Sequence, residues 1–293
     1  MAQARDDDGD DEPPRPAWDS GGAVVDAQLT RFRQMGFDAE IASELATTTA
    51  RLLADQLEVA RTRDDVVGVM RTAVQVASLA VRSVRDDRAQ RRLPVMQAAC
   101  RRGCAHCCRL HVSISAPEAI VIAAFLADTM PADELTALRS KVERFASRVR
   151  PMDQDARVRA MLPCPLLHEG ACSIYPVRPL VCAGATSGDA DACEQALGHP
   201  DASIPVEPIV HGAMRAVQLG VATAIAARGL DVGRYELAGA LAAALSTDAA
   251  SRWLAGEQVF EKSAGDLAVE SIERTALAFV ARDPHVKRRA AFR

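Results

Sequence analysis

A chain of 293 residues with 49% hydrophobic content can bury a sizeable core, so it does not depend on the dense disulfides that stabilise small secreted domains. Its 35 basic and 39 acidic residues are interspersed and leave a formal net charge of -4, which excludes a global field that recruits polyanions. Aromatics at 4% are too few for the stacking platforms that single-stranded nucleic acid meets. Nucleic acid is therefore not an expected partner. The first eleven residues are acidic and contain no apolar signal-peptide stretch, and apolar runs such as 119–126 fall short of the roughly 18 to 20 residues that span a bilayer. A soluble, cytoplasmic protein with no membrane partner is the expectation.

In chain order, residues 1–22 hold Asp6 to Asp8, Asp10 to Glu12, three prolines and Gly21-Gly22, a composition with little to bury, which predicts a disordered acidic tail. An N-terminal helical region comes next, over 23–92. Its first helix is marked by Val25, Leu29 and Phe32 and is interrupted at Gly36. Asp38 is then placed to cap a second helix whose apolar face carries Ile41, Leu45, Leu52 and Leu57. A third helix, from Asp64 to about Arg88, repeats Val67, Met70, Val74, Ala77, Val81 and Val84 at helical spacing.

Within 93–206, Ser115-Ala116-Pro117-Glu118 has the pattern of a helix start in which Ser115 caps and Glu118 reaches back. The helix continues through Ile120, Val121, Ala124 and Phe125. Another begins at Pro131, and its Leu135, Leu138, Val142, Phe145 and Val149 form a narrow packing seam. Residues 151–206 are punctuated by Pro163, Pro165, Pro176, Pro179, Pro200 and Pro205 and can be neither a long helix nor a central strand. A C-terminal helical region over 207–293 shows helical periodicity at Glu207 to Ala227, Tyr235 to Leu245 and Leu267 to Val280, and ends in a short basic tail from Pro284. The expected fold is mainly α: a helical bundle around an irregular, Pro/Gly-rich, metal-stapled cysteine region.

That region, 93–206, holds every cysteine of the chain: Cys100, Cys104, Cys107 and Cys108, then Cys164, Cys172, Cys182 and Cys193. Two groups of four thiols set among Gly, Pro and Arg read as metal ligands rather than scattered core residues. Cys104 and Cys107 are spaced so that two thiolates from one tight turn can reach a single ion, and Gly103 permits the turn. Neighbouring side chains diverge, so Cys107 and Cys108 are expected to take different roles. His106, His111 and His168 lie near enough in sequence to substitute for a thiolate, and Arg101, Arg102, Arg109 and Arg178 are candidates to offset thiolate charge.

The end of the first group, Cys104-x2-Cys107-Cys108, is followed by Cys164-Pro165-Leu166-Leu167, Gly170, Cys172-Ser173-Ile174-Tyr175 and Arg178-Pro179-x2-Cys182. This series resembles the putative zinc- or iron-chelating CxxCxxCC family, also called the YkgJ-like cysteine cluster, over about residues 100–193. Cys100 and Cys104 are separated by three residues where the family pattern has two. The resemblance implies a metal centre with all eight cysteines as candidate ligands and Arg178 and Tyr175 as cofactor-supporting residues. It leaves zinc and iron open, a [4Fe-4S] cluster included, because thiolate sets suit both. The expected partner is the metal ion or cluster, with a protein partner or substrate left open. The implied function is metal binding in a structural, redox or sensing role. The alternative is a cluster-dependent protein-modifying enzyme resembling lysine N-methylases. The triplet Cys100-x3-Cys104-x2-Cys107 also matches the spacing of radical S-adenosylmethionine enzymes, but the alternating strands and helices of their barrel are missing from the pattern.

Overall fold

Sequence periodicity and capping chemistry account for most of the helices in the computed structural model, which describes residues 21–197, 199, 202–246, 248–261, 275, 276 and 278. Helix α1 (Gly21–Gln34) opens the described chain, so Gly21 and Gly22 are helical rather than part of the expected tail, whose residues 1–20 lie outside the described residues. Gly36 turns the chain at φ +76°, and the Asp38 carboxylate accepts the Glu40 and Ile41 N–H groups at 2.8 and 3.0 Å to start α2 (Ala39–Val59). Helix α3 (Arg63–Gln90) begins with a capping box between Thr62 and Asp65.

The buried face of α2 differs from the expected one. Ile41 and Leu52 are exposed, while Ala42, Ala46, Thr49, Ala50, Leu53, Ala54 and Leu57 are buried. The reason is the partner. α2 packs along α9 (Pro208–Ala227), where a Cβ added at Gly220 would stand 2.5 Å from Thr49 Cβ and 2.6 Å from the Ala46 carbonyl oxygen. Backbones this close admit only small side chains between them, so the stripe of alanines, not of leucines, forms the seam. On α3 the buried set is Val66, Val69, Met70, Ala73 and Ala77, with Val81 and Val84 partly buried and the expected Val74 exposed.

After an extended stretch the short strand β1 (Ser113–Ser115) leads into α4 (Ala116–Thr129) and α5 (Ala132–Val149). Val142 and Val149 of the expected seam are buried, and Leu135, Leu138 and Phe145 pack against the main core. As the prolines require, the elements of the next segment are short: α6 (Gln154–Ala160), the hairpin β2 (Leu167–His168) and β3 (Ala171–Cys172), α7 (Leu180–Gly184) and α8 (Ala190–Gln195).

Beyond α9 the sequence periodicity misplaces one boundary. Tyr235 belongs to strand β4 (Arg234–Glu236), antiparallel to β1 with Ile114 opposite Tyr235, and only then does α10 (Leu237–Ala244) begin. Helix α11 (Ala249–Leu254) comes after it. Of the helix expected over 267–280, Thr275, Ala276 and Ala278 are described and helical; the rest, and the basic tail, lie outside the described residues.

One core runs through these elements. Leu53, Met70, Ile122, Val217, Tyr235 and Trp253 share a cluster with Leu166, Ile174 and Leu180 from the cysteine segment. Each large buried aliphatic of this kind contributes about 1.5–3 kcal/mol. The cysteine loops are thus anchored to the helical body by their own apolar residues. By length and composition α9 could cross a bilayer, a feature the sequence pattern did not single out, but 72% of its apolar window is buried inside the protein.

Candidate metal centre

Five local structures carry the eight thiols. The first is the extended segment before Cys100: Ala99 N–H donates to the Ser187 carbonyl at 2.8 Å, and Ser187 N–H donates to Cys100 Sγ at 3.3 Å. The second is the turn at Gly103, whose φ of +92° is open to glycine without strain and which Cys104 N–H closes on the Arg101 carbonyl at 3.0 Å. It runs into a 3-10 turn, His106–Arg109, that carries Cys107 and Cys108.

The third is the base of the β2–β3 hairpin. Cys164 N–H donates to the Cys108 carbonyl at 2.7 Å, joining the two cysteine groups through their backbones. Glu169 and Gly170, both at positive φ, make the two-residue loop that such a hairpin needs. Its register sets Cys172 opposite Leu167 and returns it toward Cys164. The fourth is α7 with Cys182. Its Gly184 lies against α9, where an added Cβ would stand 2.9 Å from Met214 Cβ. The fifth is α8 with Cys193, capped by the Asp189 carboxylate, which accepts the Asp191 and Ala192 N–H groups at 2.9 and 3.0 Å.

Six of the thiols line one cavity of about 130 Å³: Cys104, Cys107, Cys108, Cys164, Cys172 and Cys182. Both cysteine groups therefore converge. Cys107 and Cys108 face the same space rather than opposite sides, a departure from the expected divergence, because the tight 3-10 turn presents both to it. Cys100 and Cys193 are not on this wall; Cys100 accepts the Ser187 N–H instead. All eight are free thiols. Among the described residues no three His, Cys, Asp or Glu side chains are drawn together tightly enough to grip one ion. The thiols form a ring, not a knot.

Burial dominates the electrostatics. It pushes the Cys164 thiol up to about 11 and raises Cys182 and Cys172 above the usual thiol range. Cys107 is raised first by the adjacent Cys108 and then by burial. Two cations oppose this. Arg178 lies over the Tyr175 ring at 3.9 Å on the cavity wall and favours the thiolates of Cys107 and Cys172. Arg157 does the same for Cys164.

Of the other sequence candidates, Arg101 and Arg102 are exposed, and Arg109 donates to the Met161 carbonyl at 3.2 Å. His111 lines the cavity, whereas His168 is exposed on the hairpin and His106 is not on the cavity wall. Three supporting residues are not marked by the sequence pattern. Buried Arg157 donates to the carbonyls of Arg109 at 3.1 Å and Leu162 at 3.3 Å and lies over the Phe145 ring at 5.3 Å, clamping the end of the first cysteine segment to the start of the second. Buried Glu118, expected only as a cap, accepts Ser115 N–H and O–H at 2.8 and 2.7 Å and also Leu180 N–H at 2.9 Å. Ser187 is the third. Arg157 and Ser187 stand in no motif and Glu118 is marked only as a cap; the role each plays here includes a partner more than 40 residues away, which no local signal marks.

The donor set fits a thiophilic metal: six sulfurs around one space, with two guanidinium groups to offset their charge. No curated protein and no solved structure matches the chain. Residues 99–196, a stretch that contains all eight cysteines, match the model of the CxxCxxCC family, described as a putative zinc- or iron-chelating domain.

Proposed function

We propose that this protein holds a metal–thiolate centre in the 130 Å³ cavity, and that the centre is an iron–sulfur cluster. The observation that carries this is that six thiols line one space, more than the four that a single tetrahedral zinc takes. Tetrahedral zinc with bonds of about 2.3 Å would bring its sulfurs to within roughly 3.8 Å of one another. A polynuclear core instead needs thiolates spread around its faces. The bound group would supply redox or structural chemistry; this chain supplies the sulfurs, the Arg178 and Arg157 charges beside them, and an apolar surround from Leu166, Ile174 and Leu237. Eight unpaired thiols support a reducing, cytoplasmic setting.

The test is anaerobic purification of the full chain with iron, zinc and acid-labile sulfide analysis and a visible spectrum. Iron and sulfide in equal amounts with a sulfur-to-iron charge-transfer band are expected. Colourless protein with stoichiometric zinc would replace the cluster by a zinc–thiolate site, and protein without metal would remove the centre altogether.

A further inference from the structure

We infer that a second cavity, of about 350 Å³ and bordering the thiol cavity at Arg178, binds a small organic carboxylate with an apolar body. The inference goes beyond the metal centre and does not require it.

The cavity lies between α3, α4, the 3-10 turn Tyr175–Val177 and α7. Tyr175, Arg178 and Pro179 form a wall common to it and to the thiol cavity. Its size is that of pockets that enclose small molecules. Most of the remaining wall is apolar, with Val67 and Met70 from α3, Val121 from α4, Leu180 from α7 and Met214 from α9. Val74 and Arg71 are exposed, so the cavity opens on the α3 side. An apolar body gains by leaving water for this space, and the two methionines adapt to its shape.

The charges on the wall choose the sign of the ligand. Arg178 precedes Pro179, a position that favours extended backbone, and it has φ −53° and ψ 138°. Its guanidinium lies over the Tyr175 ring at 3.9 Å. Stacking uses the face of the guanidinium and leaves the N–H donors in its plane. Among the described residues no protein acceptor meets these donors, and Nε is buried without one. Arg71 at the mouth likewise has no protein acceptor among the described residues.

Glu118, the acid on this wall, does not supply what is missing. Its carboxylate already accepts the Leu180 N–H and the Ser115 N–H and hydroxyl and pairs with Arg234. Two guanidinium groups with unused donors therefore face an apolar hollow. A carboxylate meets such donors in their own plane and with opposite charge, a neutral molecule leaves them unmatched, and a cation is repelled. The bound anion would lie beside the thiol cavity, with Arg178 between them.

The experiment titrates the full chain, purified anaerobically, with octanoate, octylamine and octanol by isothermal titration calorimetry, with metal content and far-ultraviolet circular dichroism measured on the same samples. Octanoate is expected to saturate at one molecule per chain and to bind at least about 10-fold tighter than the amine or the alcohol. Arg71→Met should weaken octanoate about 3–10-fold, and Arg178→Met at least as much, without weakening octanol. Val67→Trp, which fills the cavity from α3, should abolish binding and leave the helical signal and metal content unchanged. Equal affinity for octanoate and octylamine, no saturable octanoate binding, unchanged octanoate affinity in both arginine variants, or full affinity in Val67→Trp would each overturn the inference and leave the metal centre standing. Octanoate binding to wild-type protein that carries no metal would instead defeat the metal reading and leave this one intact.

Discussion

The Glu118 carboxylate accepts the Leu180 N–H at 2.9 Å across 62 residues of sequence. The acid that caps α4 therefore also caps α7, two residues before Cys182, and it pairs with buried Arg234 at 3.4 Å. Removing it leaves a buried guanidinium unpaired and three donors unsatisfied. Glu118→Ala is expected to cost about 3–5 kcal/mol of stability, read as a lower urea midpoint, with loss of bound metal as α7 is released. Glu118→Gln, which keeps an acceptor, should cost less.

Arg157 acts on the neighbouring loops. Its substitution by Met keeps the stem over Phe145 but leaves the Arg109 and Leu162 carbonyls without their donor, an expected loss of about 1–3 kcal/mol in chemical denaturation. Arg157→Lys should not rescue it, since a single ammonium cannot span both carbonyls.

Arg178→Lys is expected to leave the melting temperature nearly unchanged and to weaken metal binding about 10–100-fold in a competition titration. The flat guanidinium over Tyr175 holds its charge beside Cys107 and Cys172; a flexible ammonium does not hold that position.

Raised thiols give two opposite pH trends. In metal-free protein, Cys164 holds its proton up to about 11 in the fold, against 9.0 for an ordinary thiol, so its contribution to stability is complete below about pH 9 and is lost as pH rises toward 11. Cys172 and Cys182 act in the same direction. Metal binding must expel those protons, so affinity should instead rise with pH over the neutral and alkaline range. Thermal melts of the metal-free chain and competition titrations at a series of pH values read the two slopes.

Gly220→Ala tests the body of the fold apart from the site. The added methyl would meet Thr49 and Ala46 within 2.6 Å, and forcing α2 and α9 apart is expected to cost about 1–3 kcal/mol. Metal content per folded chain should not change.

The sequence by itself determined the helices and the chemistry of the site. Asp38 and Glu118 mark helix starts because capping is settled within four residues, and the prolines between Pro163 and Pro205 limit the secondary structure there for reasons internal to each residue. Eight cysteines in 94 residues announce a metal by type and spacing alone. Only the tertiary structure decided which faces are inside and which sulfurs meet. The alanine face of α2 is buried because Gly220 lies on a helix more than 160 residues away, and a hydropathy pattern contains no record of its partner's shape. Tyr235 is a strand residue because β1 offers it hydrogen bonds, a choice made by a segment about 120 residues earlier. Within the ring of thiols Cys182 is placed by Glu118 and Cys164 by Arg157, and outside it Cys100 is placed by Ser187. These are long-range hydrogen bonds of buried polar groups, and they exist only once the core has brought the segments together.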